Sequence, residues 1–163
     1  MKIRSGFVSN SSSSSFIVIG TATEEHIKFH RGQWGGKENL SVTPDLGCHQ
    51  FGWDRVEYTN FWDRVFFAWI QAAYMQKERK NGGHPEWMKM LNKVLKDKLK
   101  VKRIHWNVSL ETPASGHWDD WCYIDHQSAS HEGQNIEMFR SEEELTNFIF
   151  SPNSYIQGGN DNE

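Results

Sequence analysis

The chain is expected to fold as an α/β or α+β protein, with a single mixed sheet and about three helices packed on it. Three observations predict this. Apolar residues recur at three- and four-residue steps across 62–76, 87–99 and 145–149. They run on continuously or alternate with polar residues across 16–20, 104–110 and 121–124. The resulting order is strand, loop, two helices, three strands, helix, strand, which is not a strict β–α alternation. With 163 residues, one globular domain over 1–163 is expected. Only 37% of the residues are apolar, but eight Trp, ten Phe and four Tyr are among them. Aromatic side chains bury about 150–250 Å² each, so a core short of Leu and Val can still be built.

Taken in order, Phe16-Ile17-Val18-Ile19-Gly20 is a continuous apolar run ended by glycine, the pattern of a strand buried on both faces and lying inside the sheet. Five serines, Ser11–Ser15, precede it and read as a specific loop feeding that strand. Residues 21–31 fit either a short helix opened by Thr23, Glu24 and Glu25 or an alternating strand around Ile27 and Phe29. A long irregular loop is expected at about 32–55, from Gly32, Gly35, Gly36, Gly47, Gly52 and Pro44.

A helix capped by Thr59 or Asn60 follows, with Trp62, Val65, Phe66, Trp69, Ala72 and Ala73 on one broad face. Asn81-Gly82-Gly83 stops it, and Pro85 opens a second helix with Leu91, Val94 and Leu95 on its stripe. After Lys100 the period changes to two: Ile104, Trp106, Val108 and Leu110 mark a half-buried strand. Residues 121–124 and 136–139 read as shorter strands. Ser141 with Glu144 three residues later matches a capping box opening a last helix, and Tyr155-Ile156-Gln157 reads as a final short strand.

The opening Gly6-Phe7-Val8-Ser9-Asn10 with its serine run and Phe16, the stretch Asp125-His126-Gln127-Ser128 and the ending Gly159-Asn160-Asp161 form a pattern. In it the chain resembles a group of small bacteriophage and bacterial proteins. The resemblance covers the first twenty residues best and 21–115 not at all, and it brings no activity with it. It implies a soluble viral or bacterial protein in the host cytoplasm, or in the virion if phage-encoded. A cytoplasmic protein is also what the residues suggest. After Lys2 and Arg4 the chain turns polar, so no secretory leader is expected. The apolar stretch 61–75 carries Asp63 and Arg64 and is too short to span a bilayer. Cys48 and Cys122 permit one disulfide and imply no framework.

The net charge of −3 conceals an asymmetry. Residues 77–103 carry ten Lys or Arg against three acids, whereas 104–163 carry Arg140 against eleven acids. Lys89, Lys93, Lys96 and Lys100 share one helical face, the pattern of a weak, salt-sensitive nucleic-acid contact. Mutual attraction between the two halves of one fold, with solvated faces, explains the same charges more simply. Trp87 fits the apolar stripe better than a base-stacking role.

Three strands end on suggestive residues: Gly20-Thr21, Asp125-His126 and Gly158-Gly159 followed by Asp161. If these strands were parallel and adjacent, Asp125, His126 and Asp161 would converge, hold a divalent metal and position a water for phosphoester hydrolysis. Ordinary turn chemistry accounts for the same residues more often. His26 and His30 would share a helix face, but no further ligand continues the pattern. The leading expectation is therefore a non-enzymatic protein that binds a protein partner. Trp34, Trp53 and Trp118 in predicted loops, together with Phe7, are its contact residues. No cofactor is expected under that reading, and a divalent metal is what the alternative would need. No membrane partner is expected.

Overall fold

The computed structural model describes residues 13–46, 50–51, 57–78, 85–108, 123–124 and 136–160. In chain order the elements are β1 (Ser13–Val18), α1 (Glu24–Trp34), β2 (Asn39–Val42), a 3-10 turn (Pro44–Leu46), β3 (Gln50–Phe51) and β4 (Glu57–Tyr58). There follow α2 (Phe61–Glu78), α3 (Pro85–Leu99), β5 (Arg103–Trp106), β6 (Tyr123–Ile124), a second 3-10 turn (Glu137–Arg140), α4 (Glu142–Phe150) and β7 (Tyr155–Asn160). This is an α+β fold, as expected. Among the described residues its strands do not form one sheet. They divide into an antiparallel sheet in the order β1-β7-β4 and two parallel pairs, β2-β5 and β3-β6.

Helix α2 is the spine. Residues 61–72 are all buried, so the single broad face expected from spacing is in fact the whole circumference. A helix apolar on every side lies inside a protein. Here the polar exceptions, Asp63, Arg64 and Gln71, are enclosed with it. The Asn60 side chain caps it, its Oδ1 accepting the Trp62 N–H at 3.1 Å. Around α2 pack Phe51 and Tyr58, the apolar stripe of α3, and Leu145, Phe148, Ile149 and Phe150 of α4. Phe51 meets Phe67 edge-on at 5.2 Å, and Trp69 stacks on Trp106 at 5.8 Å.

Strand β1 departs from expectation in two ways. Ser13, Ser14 and Ser15 belong to the strand, paired with Asn160, Gly159 and Gly158. Only serine and glycine meet in two of those pairs, among the smallest partners available. The strand also lies at the edge of its sheet among the described residues, and the centre belongs to β7. β7 extends to Asn160, well past the short strand expected at 155–157. Ile17 and Val18 are buried, as the apolar run predicts, although among the described residues β1 has only β7 beside it.

The expected irregular loop at 32–55 contains the end of α1, then β2, a 3-10 turn and β3. Asn39–Val42 alternates exposed and buried, a period-two pattern only four residues long. The expected strand at 136–139 is a 3-10 turn, because Met138 and Phe139 are both buried. Neighbouring residues of a strand point to opposite faces. Phe139 instead lies flat on Trp87, with centroids 4.8 Å apart.

Helix α1 resolves the ambiguity over 21–31. Thr23 Oγ1 accepts the His26 N–H, and His26 Nδ1 accepts the Thr23 N–H, a capping box closed by histidine. Its far end meets the end of α3: Arg31 Nε donates to the Lys98 carbonyl at 2.8 Å and the Gly36 N–H to the Leu99 carbonyl at 3.2 Å. Helix α3 ends with Lys100 at φ 57° and the Val101 N–H on the Lys96 carbonyl, a Schellman closure. A left-handed lysine is strained, so Lys100→Gly should stabilise the fold by about 0.5–1 kcal/mol, after allowing for glycine's greater chain entropy. A higher urea midpoint at unchanged slope checks this. Among the described residues no helix is long and apolar enough to cross a membrane.

Candidate binding cleft at the end of strand β1

A polar knot lies behind the turn that follows β1. The Gly20 N–H donates to Ser154 Oγ at 2.9 Å, and that hydroxyl donates onward to the Asn147 carbonyl at 2.8 Å. Asn147 Oδ1 accepts the Ala22 N–H at 2.9 Å. Ser151 and Ser154 are both fully buried. Arg64 anchors the knot from the core. Its Nη1 donates to the carbonyls of Thr59 at 2.6 Å and Ser154 at 2.7 Å, and its Nε to that of Ile149 at 3.0 Å. Burial lowers the guanidinium pKa to about 10, with the Asp63 carboxylate opposing the shift, so it stays cationic at neutral pH. The Ile149 carbonyl lies near the end of α4, where the helix dipole is negative and favours a cation.

Two cavities flank the turn that this knot holds, of about 190 and 460 Å³, and both are lined by Thr21 and Asn147. The larger has Ala22, Ile27 and Val94 as its apolar part. Carboxylates dominate the rest. Glu24, Asp97, Glu142 and Glu143 line the larger cavity, and Glu137 and Glu144 the smaller; among the described residues Lys98 and Arg140 are the only cations lining either. The Ser141 cap puts three of these acids on the first turn of α4, with Ser141 Oγ accepting the Glu144 N–H at 3.0 Å. The positive end of the helix dipole stabilises them there.

Part of this charge is met locally. Arg140 lies 3.0 Å from Glu137 and Arg31 lies 3.5 Å from Glu24. Lys93 of α3 pairs with Glu142 of α4, and the Glu142 hydrogen bond raises the Lys93 pKa although desolvation opposes it. Apart from Glu137 and Arg31 these side chains are substantially exposed, and such pairs add little to stability. The Lys93–Glu142 contact does join the basic segment to the acidic one, as the simpler reading of the charge asymmetry expects.

Of the expected contact residues, Trp34 is the last residue of α1 rather than part of a loop. It is half-buried and meets Trp62 edge-on at 5.2 Å. Phe7, Trp53 and Trp118 lie outside the described residues, as do Asp125, His126 and Asp161. Among the described residues, the strands leading to the last three are not the parallel neighbours that the expectation assumed. β1 and β7 are antiparallel, so their carboxyl ends lie at opposite ends of the sheet, and β6 pairs with β3 in another. His26 and His30 do share α1, yet His26 Nδ1 is taken by its cap and His30 lies among aromatic rings. Among the described residues no three His, Cys, Asp or Glu side chains group as a metal site. On α3, Lys89 sits 3.8 Å from Glu86, Lys93 is paired as above and Lys96 is half-buried; Lys100, just past the helix end, is exposed. Trp87 is half-buried on Phe139, consistent with a packing role.

Compared with protein families, with curated proteins and with solved structures, the chain finds no match in any of the three. Sequence reasoning flagged Gly20-Thr21 as a strand end and Ser141 as a cap. It missed Asn147 and Asp97, whose arrival at that strand end depends on how α3 and α4 dock.

Proposed function

We propose that this protein is a non-enzymatic binding protein whose partner is another protein, held by a basic segment in the cleft beside Gly20–Ala22. The observation that carries the reading is the cleft's charge: among the described residues six carboxylates line two adjoining cavities, and Asp97, Glu143 and Glu144 remain acidic after Arg31, Lys93 and Arg140 have paired with Glu24, Glu142 and Glu137. Concavity adds to it, because low-dielectric walls of one sign concentrate the field on an incoming cation. The apolar part at Ile27 and Val94 suits the methylene stem of a lysine or arginine, and the rim suits its charged head. A cytoplasmic location, in a bacterial or phage-infected cell, belongs with this reading.

Calorimetry with a defined lysine- and arginine-rich peptide tests it. The double variant Asp97→Asn, Glu143→Gln removes two carboxylates from the larger cavity; Glu143 and Asp97 are both exposed, so folding should survive. Affinity should fall about tenfold, roughly 1.4 kcal/mol, and binding by the unaltered protein should weaken as salt rises. Equal affinity in the variant, or salt-independent binding, would refute the assignment.

A further inference from the structure

Of the eleven residues of α1 only Ile27 is buried, and the hydrogen bonds that fasten the helix gather at its far end, where Arg31 and Gly36 meet α3. A helix with so little buried side chain belongs to the parts of a protein that open early. One of its fastenings is His30, whose ring stacks on Phe61 of α2 at 4.2 Å and meets Phe150 of α4 edge-on at 5.9 Å. Phe29, 62% exposed, closes the outer side edge-on at 5.2 Å. His30 Nδ1 is buried with no hydrogen-bond partner. A neutral imidazole protonated on Nε2 tolerates this, since Nδ1 is then a bare acceptor. A second proton would put an N–H where nothing accepts it.

The charges around the ring act in the same direction. Arg64 faces it from α2, with Asp63 as that cation's neighbour, and His26 faces it from its own helix. From α4 the facing group is the uncharged ring of Phe150. Stacking on Phe61 gives an imidazolium some cation–π attraction, which does not supply the missing acceptor. Burial first, then Arg64, then His26 lower the His30 pKa from 6.5 to about 4.

We propose that His30 is an acid-sensitive latch, whose protonation loosens α1 from Phe61 of α2 and Phe150 of α4 while its far end stays tied to α3. The sign follows from linkage. The docked form binds the proton more weakly than the open form, so docking is undisturbed above pH 6.5 and is lost progressively as pH falls towards 4. Ordinary carboxylates, with reference pKa values of about 4, are still ionised at pH 5, which separates the latch from general acid unfolding.

Hydrogen exchange on the full chain at pH 7 and pH 5, corrected for intrinsic exchange, tests this. Protection across Glu24–Trp34 should fall roughly tenfold relative to α2 and α4, and His30→Gln, which cannot titrate, should abolish the difference. Unchanged protection in α1, or an equal loss in all three helices, would overturn the latch. Should His30→Gln not fold, an NMR titration of the wild-type imidazole decides. A midpoint below about 5.5 supports the latch and a higher one rejects it.

Discussion

Arg64→Met should lower the unfolding free energy by about 3–5 kcal/mol, the scale for deleting one side of a buried charged contact. Methionine nearly matches the volume, so little of this comes from a cavity. The loss comes from what remains: the carbonyls of Thr59, Ile149 and Ser154, which the guanidinium now satisfies. Replacing a buried ion pair by apolar residues can be neutral when both partners go. Here the partners are backbone and stay behind. Each unsatisfied buried acceptor costs about 1–3 kcal/mol, so even partial access of water leaves a large deficit. Urea unfolding should show a lower midpoint at unchanged slope. A midpoint within a few tenths of a molar of wild type would mean that Arg64 does not hold the knot behind the cleft.

Gly35→Ala and Gly36→Ala should differ, although the positions are neighbours. At Gly35, φ is −88°, a value any residue adopts. The obstacle is space: a Cβ there would lie 2.5 Å from the Arg31 carbonyl oxygen and closer still to that of Leu99. Both are helix-terminal backbone atoms, so relief requires α1 and α3 to move apart. A loss of about 2–3 kcal/mol is expected, in the range for overpacking. At Gly36 nothing lies within 4 Å, but φ is +72°. That cost is conformational, about 1 kcal/mol, and Gly36→Asn should recover part of it because asparagine tolerates the left-handed region. Equal losses at the two positions would show that the ends of α1 and α3 are not in tight contact.

Much of the fold was legible because local signals agreed with tertiary ones. Pro85, the Asn60 and Ser141 caps and the stripes through Leu91 and Phe148 mark helices that the packed protein retains. The errors occur where the local signal is short or its partner distant. Asn39–Val42 has only two buried positions, Leu40 and Val42, and its pairing strand is 64 residues further on, at Arg103–Trp106. Ile136–Phe139 reads as strand by composition, whereas stacking on Trp87 makes it a turn. The direction of β7 against β1 and the pairing of β6 with β3 have no local signature, and the parallel, adjacent strands expected there are not found among the described residues. The cleft was half visible. Ser141 announces where Glu142–Glu144 stand relative to their helix, but nothing in the sequence brings Asn147 to Ala22 or Asp97 to Glu143.

The central claim is that the acidic cleft beside Gly20–Ala22 is where a basic partner segment binds, and amide chemical-shift mapping tests it most directly. On titration with a lysine- and arginine-rich peptide, the shifts should concentrate at residues 19–24 and 142–147, with Asp97 and Lys98 across the cleft. Shifts spread evenly over the surface, or gathered elsewhere while these residues stay still, would contradict it.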